Sequence, residues 1–173
     1  LVDSLGDKVS DLMEGFVRIF GQIRTGYEKI KQEEAARQAE MSAALSLKAE
    51  ALAQLEKFGS FSVEAESLEN LGSFLREVQS SRSKFESERL GLANTFAAVQ
   101  IDSLKQEIAL AVGKMLDLER AVKGKIAQRQ SLEEKKKKEE AAAETLSRSL
   151  QEEMEKIQSW TKQLDSQGLE GLD

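Results

Sequence analysis

The sequence predicts an all-α protein, an elongated antiparallel three-helix coiled-coil bundle that forms a dimer. The 173 residues contain no proline and are rich in Ala, Glu, Lys, Leu and Gln, a composition typical of long helices. Apolar residues recur at spacings that alternate between three and four, which is the heptad pattern of packed helices. A slender unit of this kind has a high surface-to-volume ratio, so we expect a second chain to cover part of its apolar surface.

The first helix is predicted over residues 7–57. Its apolar positions alternate by three and four residues from Val9 to Ile30. The pattern turns polar and alanine-rich over residues 31–40, and it is predicted to resume at five positions: Met41, Leu45, Lys48, Leu52 and Leu55. Gly59 then ends the helix, because glycine readily adopts the left-handed conformation of a C-terminal cap.

The second helix is predicted over residues 62–130 and the third over residues 140–166. Ser62 is the expected N-cap, and Glu64 lies in the first turn, where the helix dipole favours an acid. The apolar pattern fades through "EEKKKKEEAAAE" after Leu132. An unbroken helix from residue 62 to 167 would be ~160 Å long. A reversal within 128–145 is the more economical interpretation, because it lets the helix bury its own apolar face.

The composition argues against catalysis. The chain has no histidine and no cysteine, which removes the commonest zinc ligands together with thiol nucleophiles and imidazole bases. Neighbouring carboxylates such as Glu33 and Glu34 do not face each other on a helix. We therefore expect no enzyme, and no catalytic, cofactor or metal site. Without cysteine there are no disulfides, which is compatible with a reducing compartment, and no apolar run approaches the ~20 residues of a membrane span.

Three stretches together resemble the BAR superfamily, and within it the BAR domains of sorting nexins. They are "ALAQLEKFGS" (51–60), "ESLENLGSFLREVQSSRSKFESE" (66–88) and "LAVGKMLDLERAVKGKIAQRQSLEEKKKK" (110–138). The likeness lies in a first helix that closes on a Gly-Ser turn, a Leu-x-x-x-Leu-x-x-Val opening of the next helix, and a basic stretch followed by a lysine run. It covers roughly residues 10–140. The resemblance implies an antiparallel dimer that binds and shapes curved membranes in endosomal or vesicle trafficking.

Positive charge is concentrated in residues 114–138. This segment has nine basic and four acidic residues, a net charge of +5 in a chain whose total is −6. Anionic lipid attracts such segments by ~1 kcal/mol for each Lys or Arg near the surface. The candidate lipid-binding residues are Lys114, Arg120, Lys123, Lys125, Arg129, Lys135, Lys136, Lys137 and Lys138.

The run "EEKKKKEE" has two interpretations. Glu133–Lys137 and Glu134–Lys138 have the favourable i,i+4 order, so the run taken alone is typical of a solvated helix face. Together with Lys123, Lys125 and Arg129 and the BAR-like layout, it predicts a membrane-facing tip. Nucleic acid is not an expected partner, because the chain is acidic overall and the basic stretch lacks interleaved aromatic residues.

The expected function is therefore that of a peripheral protein on endosomal or other intracellular membranes, facing the cytoplasm, as a homodimer or a heterodimer with a related BAR protein. A coiled-coil scaffold that binds proteins without lipid is the alternative, and an exchangeable amphipathic lipid carrier is a third hypothesis. Tyr27 and Trp160 are expected in core or dimer packing, since both lie on or beside the apolar pattern. The expected dimer contacts are Phe16, Ile19, Ile23, Phe74, Leu75, Phe85 and Phe96.

Overall fold

The computed structural model describes the backbone of residues 2–168 and the side chains of residues 4–168. Within that range the protein is all-α, with three helices and no strand. Helix α1 spans Val2–Gly59, α2 spans Leu68–Gly91 and α3 spans Ala98–Gly168. The chain divides into two units, the first of which ends at Val122 and the second of which begins at Lys123.

All three helices contribute to the core of the first unit. The Phe58 ring meets the Phe74 ring edge to face with 5.6 Å between the centroids, and the Phe61 ring stacks on the Phe74 ring at 3.8 Å. Ala44 of α1 packs in one cluster with Ile101 of α3. The buried apolar residues of α1 are Ala44, Leu47, Ala51 and Phe58; those of α2 are Leu71, Phe74, Val78 and Phe85; those of α3 are Ile101, Leu104, Ile108, Ala111, Val112, Met115 and Val122.

The buried face of α1 differs from the predicted one. Leu45 and Leu52 are 50% and 46% exposed, whereas Ala44 and Ala51 are fully buried. Ala44, Leu47, Ala51 and Phe58 continue the heptad that starts at Val9 without any change of phase. The prediction chose the larger neighbouring side chains, Leu45 and Leu52. Alanine lies at the buried positions because small side chains allow two helices to approach closely.

The second helix begins later than predicted. Ser67, and not Ser62, is its N-cap: the Ser67 hydroxyl accepts a hydrogen bond of 3.2 Å from the backbone N–H of Asn70. Satisfying the free N–H groups of the first turn in this way is the usual role of serine at a helix start. The α1–α2 connection is therefore eight residues long, from Ser60 to Ser67.

The second break lies at residues 92–97, and the predicted reversal within 128–145 is absent. Leu92 packs against the core cluster while the backbone leaves the helix. Leu92, Phe96 and Val99 have helical spacing, which led to the prediction of one continuous helix. By contrast, α3 continues through 128–145 because its sequence there consists of strong helix formers, and Lys136 pairs with Glu140 at 3.7 Å.

A carboxylate from α1 caps the start of α3. The Glu40 side chain accepts hydrogen bonds of 3.1, 3.0 and 3.1 Å from the backbone N–H groups of Thr95, Phe96 and Ala97. Desolvation acts to raise the pKa of the Glu40 carboxyl, but the three N–H donors outweigh it, so that this pKa lies below its ordinary value. One side chain of α1 thus fixes where α3 begins.

A buried polar cluster joins α2 to α3. The Glu119 carboxylate, 5% exposed, accepts hydrogen bonds from Arg82 Nε at 2.9 Å and from Gln79 Nε2 at 3.1 Å. Burying a carboxylate is costly unless a cation and further donors compensate it. This cluster therefore favours one register between the two helices.

We predict that Arg82→Met destabilises the fold by about 3–5 kcal/mol, because it removes the Arg82 cation from the buried Glu119 carboxylate. The double variant Arg82→Met, Glu119→Leu should recover most of that loss, since an apolar pair of similar size requires no desolvated charge. Urea unfolding of both variants measures the difference. Equal losses in the single and double variants would contradict this assignment.

We also predict that Glu40→Gln lowers the free energy of unfolding at pH 7. Because the pKa of Glu40 is lowered in the folded state, its stabilising effect is present above the ordinary value near 4.5 and is lost as the pH falls through the lowered value. The difference between wild type and variant in urea unfolding should therefore shrink at pH 3. Glu34→Gln, at an exposed position of the same helix, is the control and should change little at either pH. A pH-independent effect of Glu40→Gln would contradict the cap.

Candidate functional site

The packing face of α3 changes its chemistry along the helix. When Ile101 is counted as an a position of the heptad, most buried apolar residues of α3 as far as Val122 lie at a and d positions. The next ones are Lys125, Arg129, Leu132 and Lys136. Lys125 and Arg129 are half-buried, whereas Leu132 and Lys136 are exposed. Cations at the positions that normally pack against another helix are the feature of α3 that needs explanation.

The four consecutive lysines do not form one face. Successive residues of an α-helix differ in direction by about 100°, so Lys135, Lys136, Lys137 and Lys138 point around nearly the whole circumference. A flat surface meets only one side of a helix. In this continuous helix the lysine run does not lie at a reversal between two helices, and only some of its members can meet one surface at the same time.

The predicted lipid-binding residues of the second unit instead form two groups on different sides of α3. Spacings of four and seven place Lys125, Arg129 and Lys136 on one side, which we call the cationic seam, with Leu132 between its last two members. Lys123, Lys137 and Lys138 lie on the other side, and Lys135 points between the two groups. The cationic seam is the only one of the two groups in the described chain that follows the packing face.

The two remaining basic candidates lie in the first unit. Lys114 and Arg120 are both exposed. Arg120 is 3.5 Å from the carboxylate of Asp117, one turn earlier on the same helix. An exposed pair of this kind contributes little to stability, so Arg120 remains accessible to solvent and ligands.

The predicted dimer residues separate into two sets. Phe74 and Phe85 are 5% and 4% exposed, so the chain's own core already covers them and they are not available to a second copy. Leu75 is half-buried, and Phe96 lies at the α2–α3 connection with 45% exposure. The members that stay exposed on α1 are Phe16, Ile19 and Ile23, at 57%, 52% and 62%.

The exposed residues of α1 belong to a longer apolar stripe. We call the face formed by its a and d positions between residues 12 and 30 the α1 stripe; Met13, Phe20 and Tyr27 widen it on one side. Gly15 creates a hollow of about 250 Å³ between Leu12, Phe16 and Ile19. No other part of the described chain fills this hollow, since a Cβ on Gly15 would have no atom within 4 Å.

A second apolar stripe lies near the end of α3. Its residues are more than half exposed, and every described residue from 130 onward is exposed. The prediction placed Trp160 in packing but did not include this stripe among the dimer contacts. Its heptad spacing was the signal that could have identified it. We call it the α3 stripe, and its apolar residues are Leu146, Leu150, Met154, Ile157, Trp160 and Leu164.

Neither metal ligation nor membrane crossing is indicated in the described range. Between residues 2 and 168, no three acidic side chains come together in a way that could hold a metal ion. No helix of that range combines the length and the apolarity that crossing a bilayer requires.

Comparison with protein-family models, with curated proteins and with solved structures gave no match. The geometry of the cationic seam and of the two apolar stripes is therefore the basis for assigning a function.

Proposed function

We propose that the protein is a dimer that binds anionic membrane surfaces through the cationic seam of each copy. The observation that carries this proposal is the placement of Lys125, Arg129 and Lys136 at packing positions of α3, with the exposed Leu132 among them. A buried interface with another helix would require these charges to be paired and desolvated. A lipid headgroup layer supplies anions for the cations and an apolar boundary for Leu132.

The expected strength of this contact favours a dimer. At ~1 kcal/mol for each basic side chain near an anionic leaflet, three cations contribute about 3 kcal/mol, roughly a hundredfold in affinity. That is marginal for one copy. Two linked copies bind as a unit, and the second contact benefits from a high effective concentration.

The exposed surface also supports dimerisation. A compact monomer of 19.2 kDa exposes about 8,400 Å², whereas this chain exposes 13488 Å². The excess is about 5,000 Å² for each chain, more than the roughly 1,000–2,500 Å² that each partner of an obligate dimer commonly buries, so the exposed area is large enough for such an interface. The exposed side chains of both apolar stripes contribute to this large surface area.

The resemblance to the BAR domains of sorting nexins extends the proposal to curved endosomal or other intracellular membranes. Those domains are antiparallel bundles, and contacts within the first unit support that arrangement. Lys57 Nζ lies 2.6 Å from Glu77, and Lys84 Nζ lies 3.6 Å from Glu50, so the chain number rises along α1 as it falls along α2. The partner is a second copy or a related chain.

The alternative is a helical scaffold that binds protein and no lipid. The Lys136–Glu140 pair favours it, because at 3.7 Å the carboxylate partly neutralises Lys136. Both side chains are more than half exposed, however, so the pair is worth little and an anionic surface competes with it.

We predict that sedimentation equilibrium at micromolar concentration gives about twice the chain mass of 19.2 kDa. The physical reason is that a monomer would leave both apolar stripes in water. A folded monomer under these conditions, with full helical circular dichroism, would overturn the dimer.

We predict that Lys125→Gln, Arg129→Gln, Lys136→Gln lowers the affinity for vesicles containing phosphatidylserine about a hundredfold, since three cations leave the surface. The matched control is Lys123→Gln, Lys137→Gln, Lys138→Gln, which removes the same charge from the other side of α3. Co-sedimentation with vesicles at low and high salt measures both, with circular dichroism as the check on folding.

Equal losses in the two triple variants would show that net charge matters and the cationic seam does not. Binding that neither variant reduces, or that salt leaves unchanged, would contradict lipid recognition by charge and favour the scaffold.

A further inference from the structure

We propose that the α1 stripe of one copy packs, in the opposite direction, against the α3 stripe of a second copy, and that the second copy returns the same contact. This rests on the dimer of the proposed function and names the segments that form it. The two stripes are residues 12–30 and 146–164, each 19 residues long. In a dimer with two-fold symmetry the contact forms twice, because each copy contributes one α1 stripe and one α3 stripe.

Both segments have surfaces that the described chain leaves open. Phe16, Phe20 and Ile23 of the α1 stripe are 57–67% exposed, and Ile157 and Trp160 of the α3 stripe are 55% and 59% exposed. Burying large apolar side chains that are otherwise in water stabilises a contact between helices. Helices that expose a continuous seam of this kind are the ones that pair as coiled coils.

The heptads of the two segments fit when they run in opposite directions. In this register the a position of one helix meets the d position of the other. Phe16 lies opposite Trp160, and Ile19 lies opposite Ile157. The hollow at Gly15, beside Phe16, gives room for the indole ring. The full set of layers is Leu12 with Leu164, Phe16 with Trp160, Ile19 with Ile157, Ile23 with Glu153, Gly26 with Leu150 and Ile30 with Leu146.

Residues beside the layers fit as well. In this register Phe20 comes next to Met154, and a thioether against an aromatic ring is a favourable contact. Residues 12–30 carry a net charge of +1 and residues 146–164 a net charge of zero, so the pairing brings no block of like charge together.

Glu153 is the polar member of the layers, and it argues against pairing of α3 with α3. A two-fold contact between two α3 stripes in the same geometry would place both copies of Glu153 in neighbouring layers, where two carboxylates repel. In the α1–α3 arrangement each contact holds one Glu153, which has its own partner in Lys156 at 2.8 Å. Pairing of α1 with α1 would cover one stripe and leave the α3 stripe in water.

Engineered disulfides test the pairing, since the chain has no cysteine of its own. The variant Ile19→Cys, Ile157→Cys places thiols in one layer, within the Cα separation that a disulfide spans. After mild oxidation we expect a covalent dimer on a non-reducing gel. Ile19→Cys alone and Ile157→Cys alone should remain largely uncrosslinked.

The matched control is Ile19→Cys, Leu146→Cys, in which the second thiol is eleven residues, about 16 Å, out of register. It should crosslink poorly. Crosslinking of this control as efficiently as of the in-register variant would overturn the proposal, as would a covalent dimer from Ile19→Cys alone or a disulfide within one chain.

The mass of each unoxidised variant distinguishes a failure of this pairing from a failure of the proposed dimer. A dimer without the expected crosslink refutes this pairing and leaves the proposed dimer intact. A monomer refutes both. Vesicle binding of the oxidised in-register dimer should equal that of wild type, because the cationic seam lies outside the paired segments.

Discussion

The structure depends on one constraint: the apolar face of α3 is longer than the set of helices that the chain provides to cover it. From Ile101 to Val122 the a and d positions of α3 pack against α1 and α2. The same heptad then continues to Leu164 without a change of phase. The α1 heptad has the corresponding property, since it is buried from Ala44 to Phe58 and exposed from Val9 to Ile30. Helices that expose apolar faces of this length are stable when another helix covers them.

Between the buried and exposed apolar parts of the α3 face, the a and d positions are Lys125, Arg129, Leu132, Lys136, Glu139 and Ala143. Under the proposed function, a face that is apolar on both sides and mainly cationic in the middle has different roles along the helix. The apolar parts suit helix packing, and the cationic part suits an anionic surface. Under the proposed function, the position of each basic residue on the helix therefore matters more than the number of lysines in the run.

The helices themselves could be predicted from composition and periodicity, but one boundary depended on a contact far apart in sequence. The start of α3 is fixed by Glu40, which lies more than 50 residues before the N–H groups it caps. No local pattern at Leu92–Ala97 reports this. The register of α1 could have been predicted, because the heptad counted from Val9 reaches Ala44 and Ala51 directly. For the candidate site, the cluster of basic residues could be seen in the sequence. How these residues divide between two sides of α3 could not, because that depends on α3 being one continuous helix.

Hydrogen exchange resolved by segment tests most directly that a second copy covers the exposed faces. Isolated helices without a partner open readily, whereas packed helices exchange slowly. At concentrations where the dimer forms, we predict protection of the amides in residues 12–30 and 146–164, and its loss on dilution while residues 101–122 stay protected. Exchange of both stripes at the rate of unstructured peptide, at high protein concentration and with the core intact, would contradict the account.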